Sequence, residues 1–244
     1  MTDRTVLKIT GDDRESFLQG LVSNDLKGLK DGLVYAALLT PQGKYLADFI
    51  LAPAEEAILV DVSSTIAKPL AQRLSMYKLR ANVGIEVTDI VPARGLGDAP
   101  NGAFADPRHA ALGWRAYDGR PSDEGADWDA IRVEHCIPET GAELTGDSYL
   151  LEAGFERLNG VDFRKGCYVG QEVTARMKHK TELKKGLATV SIEGEAPVGT
   201  AITRDGKPVG TLFTQSGGQA IAYLRFDRAG SGMLAGDAVV SWDG

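Results

Sequence analysis

Cys167 stands in the stretch Arg164-Lys165-Gly166-Cys167-Tyr168-Val169-Gly170-Gln171-Glu172, between two glycines and two residues after a lysine. The thiolate is the nucleophilic and metal-binding form of cysteine, and a nearby cation or helix N-terminus favours it. Lys165 supplies the cation. Val169, Val173 and Met177 recur every four residues, which predicts a helix with one apolar stripe just after the thiol. Gly166 and Gly170 ease the backbone on either side, as a loop crowding a ligand or a helix start requires. Cys167 is therefore a candidate reactive group, against the ordinary reading of a lone cysteine as a small buried hydrophobe.

Other chemistries find less support. Gly43-Lys44 and Gly206-Lys207 lack the earlier glycine and the following Ser/Thr of a phosphate loop, and no Gly-x-Gly-x-x-Gly opens a helix. His109, His135 and His179 are scattered without metal-ligand spacing. A Cys–His hydrolase would need Cys167 to meet a distant histidine, which the sequence neither supports nor excludes. Cys136 and Cys167 are the only cysteines. They are too few for a disulfide framework or for the four-thiolate shell of an iron–sulfur cluster within one chain. A cluster would have to share ligands with a partner or a small thiol.

The formal charge of −7 over 244 residues argues against a general nucleic-acid binder. Yet residues 164–185 carry seven Lys or Arg against Glu172 and Glu182. That run reads either as a solvated helix face or as a patch for a polyanion such as RNA or a polyglutamate tail. No apolar run is long enough to span a membrane. Met1-Thr2-Asp3-Arg4 lacks a signal peptide's apolar core, from which a cytoplasmic location is expected.

Lys165-Gly166-Cys167-Tyr168-x-Gly170-Gln171-Glu172 resembles the signature of the YgfZ-type folate-binding proteins, relatives of the glycine-cleavage T-protein (aminomethyltransferase). Gly11-Asp12, Phe17-Leu18-Gln19-Gly20, Ser23-Asn24-Asp25, Leu39–Lys44 with Asp48, and Asp106-Pro107-Arg108 are similar to further segments of that family. The resemblance implies a tetrahydrofolate (or one-carbon derivative) site. Glu152, in Leu151-Glu152-Ala153-Gly154, would hold the pterin ring, Asp48 would line the pocket, and Asn24, Tyr168, Gln171, Glu172 and Arg176 would complete the binding set. One carboxylate suits a pterin, which offers an amino group and a ring N–H side by side. Gln171 and Glu172 fit loop anchoring equally well, and Arg176 fits solvation. Position 47 is Ala where the T-protein has a second acidic residue, so the acidic pair is broken.

The elements that must position these residues follow from the patterning. Thr5–Ile9 reads as a strand, and Asp12 with Glu15 as a capping box opening a helix buried through Phe17, Leu18, Leu21 and Val22. Residues 33–39 and 44–51 form a hairpin around the Thr40–Gly43 turn, with Asp48 either solvent-facing or buried with a partner. A strand at 57–62, a helix through Leu70, Leu74 and Tyr77 with Pro69 near its first turn, and a strand at 80–87 complete an α+β pattern with an antiparallel sheet. A crossing near 91–118 contains a strand at 110–117, and a helix runs from Trp128 to Cys136. Strands at 187–193, 207–213, 218–225 and 237–242 suggest a small barrel.

The expected fold is α+β, and the resemblance implies a T-protein-like antiparallel-sheet body of interleaved lobes over residues 1–183, followed by a C-terminal β-barrel over 184–244. The resemblance implies an accessory protein for iron–sulfur enzymes, including tRNA-modifying ones, with Cys167 as the working thiolate and Lys165 lowering its pKa. A folate-dependent one-carbon transferase is the alternative. Expected partners are folate, iron–sulfur clients and RNA through 164–185, with no membrane and no resident metal.

Overall fold

The computed structural model describes residues 3–179 and 182–244. The chain forms two compact units, Met1–Ala126 with Phe155–Ala175, and Asp127–Gly154 with Arg176–Gly244. The boundary expected near residues 181–185 begins at Thr181, which with Lys180 lies outside the described residues.

In the first unit, β1 (Arg4–Thr10), β2 (Val34–Leu39), β3 (Tyr45–Ala54), β4 (Ala57–Ser63) and β5 (Gly84–Val87) form an antiparallel sheet in the order β2-β3-β4-β1-β5. Successive strand residues point to opposite faces, and this sheet uses both. Leu7, Ile9, Phe49, Leu51, Val60 and Val62 pack with Leu18 of α1 (Arg14–Gln19) and with Leu70 and Leu74 of α2 (Ser64–Lys78). The other parity places Tyr35, Asp48 and Asp61 together on the opposite face. That face is also buried, so its polar groups must find partners within the protein. A small second sheet of β6 (Ala93–Gly95), β7 (Phe104–Ala105) and β8 (Trp114–Ala116), in the order β6-β8-β7, belongs to the same unit.

Several local expectations are corrected. The capping box does not form. Asp13 is the N-cap of α1 without a side-chain cap bond, and the Asp12 and Asp13 carboxylates instead accept bonds from Asn82. Helix α2 begins at Ser64, so Pro69 falls in its second turn. The strand expected over 110–117 is a 3-10 turn at Ala110–Leu112 followed by the three-residue β8, and that expected over 80–87 starts only at Gly84. Ala93–Gly95 and Phe104–Ala105 are further strands within the crossing, where only the one at 110–117 was expected.

In the second unit, α3 (Trp128–Glu134) is joined by a closed six-stranded barrel. Its strands are β9 (Lys185–Glu193), β10 (Ala201–Arg204), β11 (Lys207–Ser216), β12 (Gln219–Arg225), β13 (Met233–Ala235) and β14 (Ala238–Ser241), and β10 pairs with β13 to close it. The short β10 and β13 were not expected. Val190, Ile202, Leu212, Leu224, Met233 and Val240 fill its interior. Arg132 of α3 reaches Glu143 at 3.1 Å and Thr214 of β11 at 3.1 Å, while Val133 and Cys136 pack on Ile221. The last helix, α4 (Gln171–His179), follows the cysteine loop.

Candidate functional site

Cys167 is exposed, whereas the other thiol, Cys136, is buried. The loop that presents Cys167 is anchored on both sides. Lys165, only 6% exposed, donates to the carbonyl oxygens of Gln19 (2.8 Å), Val22 (2.5 Å) and Asn24 (3.1 Å). Gln19 ends α1, where helix geometry leaves carbonyl oxygens without amide partners, and Val22 and Asn24 lie in the reversal after it. Burial pulls the Lys165 ammonium down to about 8, opposed by the carboxylates of Asp25 and Asp162. Tyr168 is buried, and the Lys165 ammonium lies 5.1 Å from its ring centroid. Lys165 thus faces inward to backbone oxygens, the role that its sequence neighbours do not reveal.

Beyond Tyr168 the chain runs against the β2–β3 turn. Val169 packs on the sheet's core. Gly170 has φ +83°, and a Cβ there would lie 2.6 Å from the Thr40 carbonyl oxygen, so only glycine fits. In α4 the buried residue is Thr174, whose hydroxyl donates to the Gly170 carbonyl oxygen. Val173 and Met177 are half-buried, so the expected stripe is weaker than its spacing suggests. Gln171 is half-buried, and Glu172 and Arg176 are exposed. Of the basic run, Lys165 is turned inward, Arg164 is exposed with Asp162 at 3.8 Å, and Lys180 lies outside the described residues.

Asp48 is buried with partners. Tyr35 donates to its Oδ2 at 3.0 Å and Tyr45 to its Oδ1 at 2.7 Å. Burial, then the neighbouring Asp48 charge, pushes the Tyr35 phenol well above its usual range, which keeps it a donor. Tyr35 stacks on Phe155 (4.9 Å) and lies under the Arg108 guanidinium (5.7 Å). From Arg108 a ladder of ions, buried except for the half-buried Arg4, crosses the sheet face. Arg108 meets Asp106 at 2.8 Å, Arg115 bridges Asp106 (2.7 Å) and Asp61 (3.0 Å), and Arg4 closes on Asp61 at 2.6 Å. Burial raises the Asp106 carboxyl, but the Arg108 and Arg115 charges overcome it and hold the group well below the usual range. For Asp61 burial is likewise outweighed by Arg4 and Arg115. The sequence reading missed Arg4, Asp61, Arg115 and Tyr45. Asp61 carried the signal that marked Asp48, one carboxylate inside the apolar run Ala57–Val62.

Asn24 acts within the same unit as a clasp. Its side chain donates to the carbonyl oxygens of Tyr35 (2.8 Å) and Asn159 (2.6 Å) and accepts from the Asp25 amide. A cleft of about 510 Å³ opens there, lined in part by Asn24, Lys27, Tyr35, Pro107, Asn159 and Arg164. Asp48 is not among its lining residues.

Glu152 belongs to the second unit. Its Oε2 accepts from the Tyr223 hydroxyl at 2.7 Å, and its Oε1 lies 3.8 Å from the Lys185 ammonium. Glu152 is 8% exposed. A pterin would need one carboxylate with both oxygens turned to a ligand. Glu152 has Tyr223 on one oxygen and Lys185 beside the other, and Asp48 has a tyrosine on each. Each of these carboxylates therefore has partners within its own unit, with a second lone pair left on each bonded oxygen. Tyr223 was not singled out in the sequence, and only its place on β12 brings it to Glu152.

Comparison with known proteins bears on this arrangement. The CAF17 C-terminal beta-barrel domain family matches residues 184–243. The chain is 30% identical over 270 residues to the mitochondrial iron–sulfur cluster assembly factor IBA57 of Homo sapiens, an alignment covering 91% of this chain and 75% of that protein. It is 29% identical over 273 residues to the Mus musculus protein of the same name, with the same coverage. Among solved structures it resembles the glycine cleavage system aminomethyltransferase T of Bartonella henselae, with a TM-score of 0.75 at 14% identity over 97% of this chain and 81% of that one. The fold is that of the aminomethyltransferase with a closed C-terminal barrel, as expected. The cytoplasmic location read from the N-terminal residues is corrected, since these relatives are mitochondrial proteins by name.

Proposed function

We propose that this chain, which belongs to the IBA57 family of iron–sulfur cluster assembly factors, acts in cluster assembly by lending Cys167 as one thiolate ligand to a cluster completed by a partner protein or a small thiol. The observation that carries this reading is the contrast between the two thiols, Cys167 exposed and Cys136 buried. Clusters of this kind take four protein ligands, most often thiolates. A chain with one accessible cysteine supplies one of them, and the rest must come from outside. The cluster is cargo in this scheme, and the chain's own part is to hold a soft ligand at the surface.

Tetrahydrofolate has no step in this reading, which needs only the exposed thiol. The broken acidic pair counts against one-carbon transfer, since Asp48 stands beside Ala47 where the transferase has a second acidic residue.

The test is complementation of cells lacking their own copy of the protein, with activity of a four-iron client enzyme as readout. Cys167→Ala should abolish rescue while the purified variant keeps the wild-type melting curve. Full rescue by Cys167→Ala would remove the reading. In vitro, iron, sulfide and glutathione should reconstitute visible cluster absorbance on the wild-type protein and not on Cys167→Ser.

A further inference from the structure

The first unit treats the residues on either side of Cys167 differently from Cys167 itself. Lys165 and Tyr168 are 6% and 8% exposed, whereas the intervening Gly166 and Cys167 are exposed. The two anchors also meet each other, with the ammonium 5.1 Å from the Tyr168 ring centroid. The result is a two-residue knuckle closed at its base.

We infer that Lys165 is a positioning residue, whose ammonium ties the 164–170 loop to the backbone of residues 19–24 and so fixes the place at which Cys167 is offered to a cluster. The inference rests on the reading of Cys167 as a cluster ligand and names what that ligand depends on. Three carbonyl oxygens within 3.1 Å use all three hydrogens that an ammonium can donate. These acceptors come from one short segment more than 140 positions away in sequence, so the staple joins two parts of the unit that the chain itself leaves apart. Asp25 and Asp162 are the carboxylates that favour the charge. On the far side, Tyr168 is held by burial and Gly170 by its fit against Thr40. A thiolate that must meet a half-built cluster on another molecule gains from such fixing, because the entropy of ordering the loop has been met before the encounter.

The experiment is a nitroxide spin label on Cys167, compared between the wild-type protein and Lys165→Met, with Cys167→Ser as the control for labelling elsewhere. The wild-type spectrum should be that of a restricted label. Lys165→Met should shorten its rotational correlation time several-fold while the melting transition survives. Reconstitution with iron, sulfide and glutathione should fall in Lys165→Met although the thiol is intact. Identical restricted spectra in both folded proteins would overturn the inference. So would a mobile label in the wild-type protein, a result that needs no folded variant. The label measurement contains no iron, so its failure is distinct from failure of the cluster reading.

Discussion

Tyr223 donates its hydroxyl to Glu152 over 2.7 Å, and the Lys185 ammonium stands 3.8 Å from the second oxygen of the same carboxylate. A tyrosine on a barrel strand thus takes one bond of the carboxylate that the family resemblance assigns to a pterin. Calorimetric titration of the wild-type protein with tetrahydrofolate should show no saturable heat. Saturable binding weakened tenfold by Glu152→Gln, about 1.4 kcal/mol, would establish a folate site at Glu152.

Asp48 should behave as a structural acceptor. Removing one donor, as in Tyr35→Phe, leaves a buried carboxylate oxygen short of a bond and should cost about 1–3 kcal/mol of stability. Denaturant melts give the number directly. Loss of function without loss of stability would show that Asp48 faces a ligand after all.

The ion ladder sets a pH dependence. Asp61 and Asp106 titrate below the ordinary aspartate value of 3.8 in the native protein, so the unfolded chain holds protons that the native state releases. The stability they add is fully present above 3.8 and is lost as pH falls through the native values. Asp106→Asn should flatten that acid limb. It should also cost roughly 3–5 kcal/mol at neutral pH, because the Arg108 and Arg115 charges stay buried with one partner removed. Melts from pH 2 to 7 on both proteins test the slope.

The two thiols should differ sharply toward alkylation. Maleimide should modify one cysteine per folded chain, identified as Cys167 by peptide mass, and two after denaturation. Cys167→Ala should change stability by less than about 0.5 kcal/mol, as an exposed position does. Rapid modification of Cys136 in the folded protein would contradict its burial in the α3–barrel cluster.

Gly170→Ala should destabilise by at least about 1–3 kcal/mol, the usual cost of forcing a side chain into a left-handed backbone region, with the clash against the Thr40 oxygen added. The same variant should loosen a spin label on Cys167, because it breaks the anchor on the far side of the knuckle.

Much of this architecture was legible from residues. The runs at 34–39, 45–54 and 57–63 are long and apolar, and the Thr40–Gly43 turn fixes how the first two pair. Strands of two to four residues, such as Phe104–Ala105 and Ala201–Arg204, carry too little pattern, and their partners in space define them. Within the candidate site, the exposed thiol and the buried Asp48 had local signals. Lys165 did not reveal its work, because its acceptors are backbone carbonyls, which any sequence supplies. Asp61 and Arg115, 54 positions apart, show the same difficulty: each charge is visible in the sequence and their pairing is not.

The close approach of Gly170 to the β2–β3 turn has a consequence for how this protein tolerates change in chain length. A Cβ on Gly170 would lie 3.1 Å from the Gly43 Cα, and one on Gly43 would lie 2.7 Å from the Val173 side chain. With the two backbones this near, the hairpin tip serves as a gauge for where the cysteine loop ends and α4 begins. An insertion or deletion of one residue in either segment would move the thiol by about 3.3–3.6 Å along an extended chain, further than an iron–sulfur bond is long. The number of residues on each side of Cys167 is thus as constrained as the identity of its anchors.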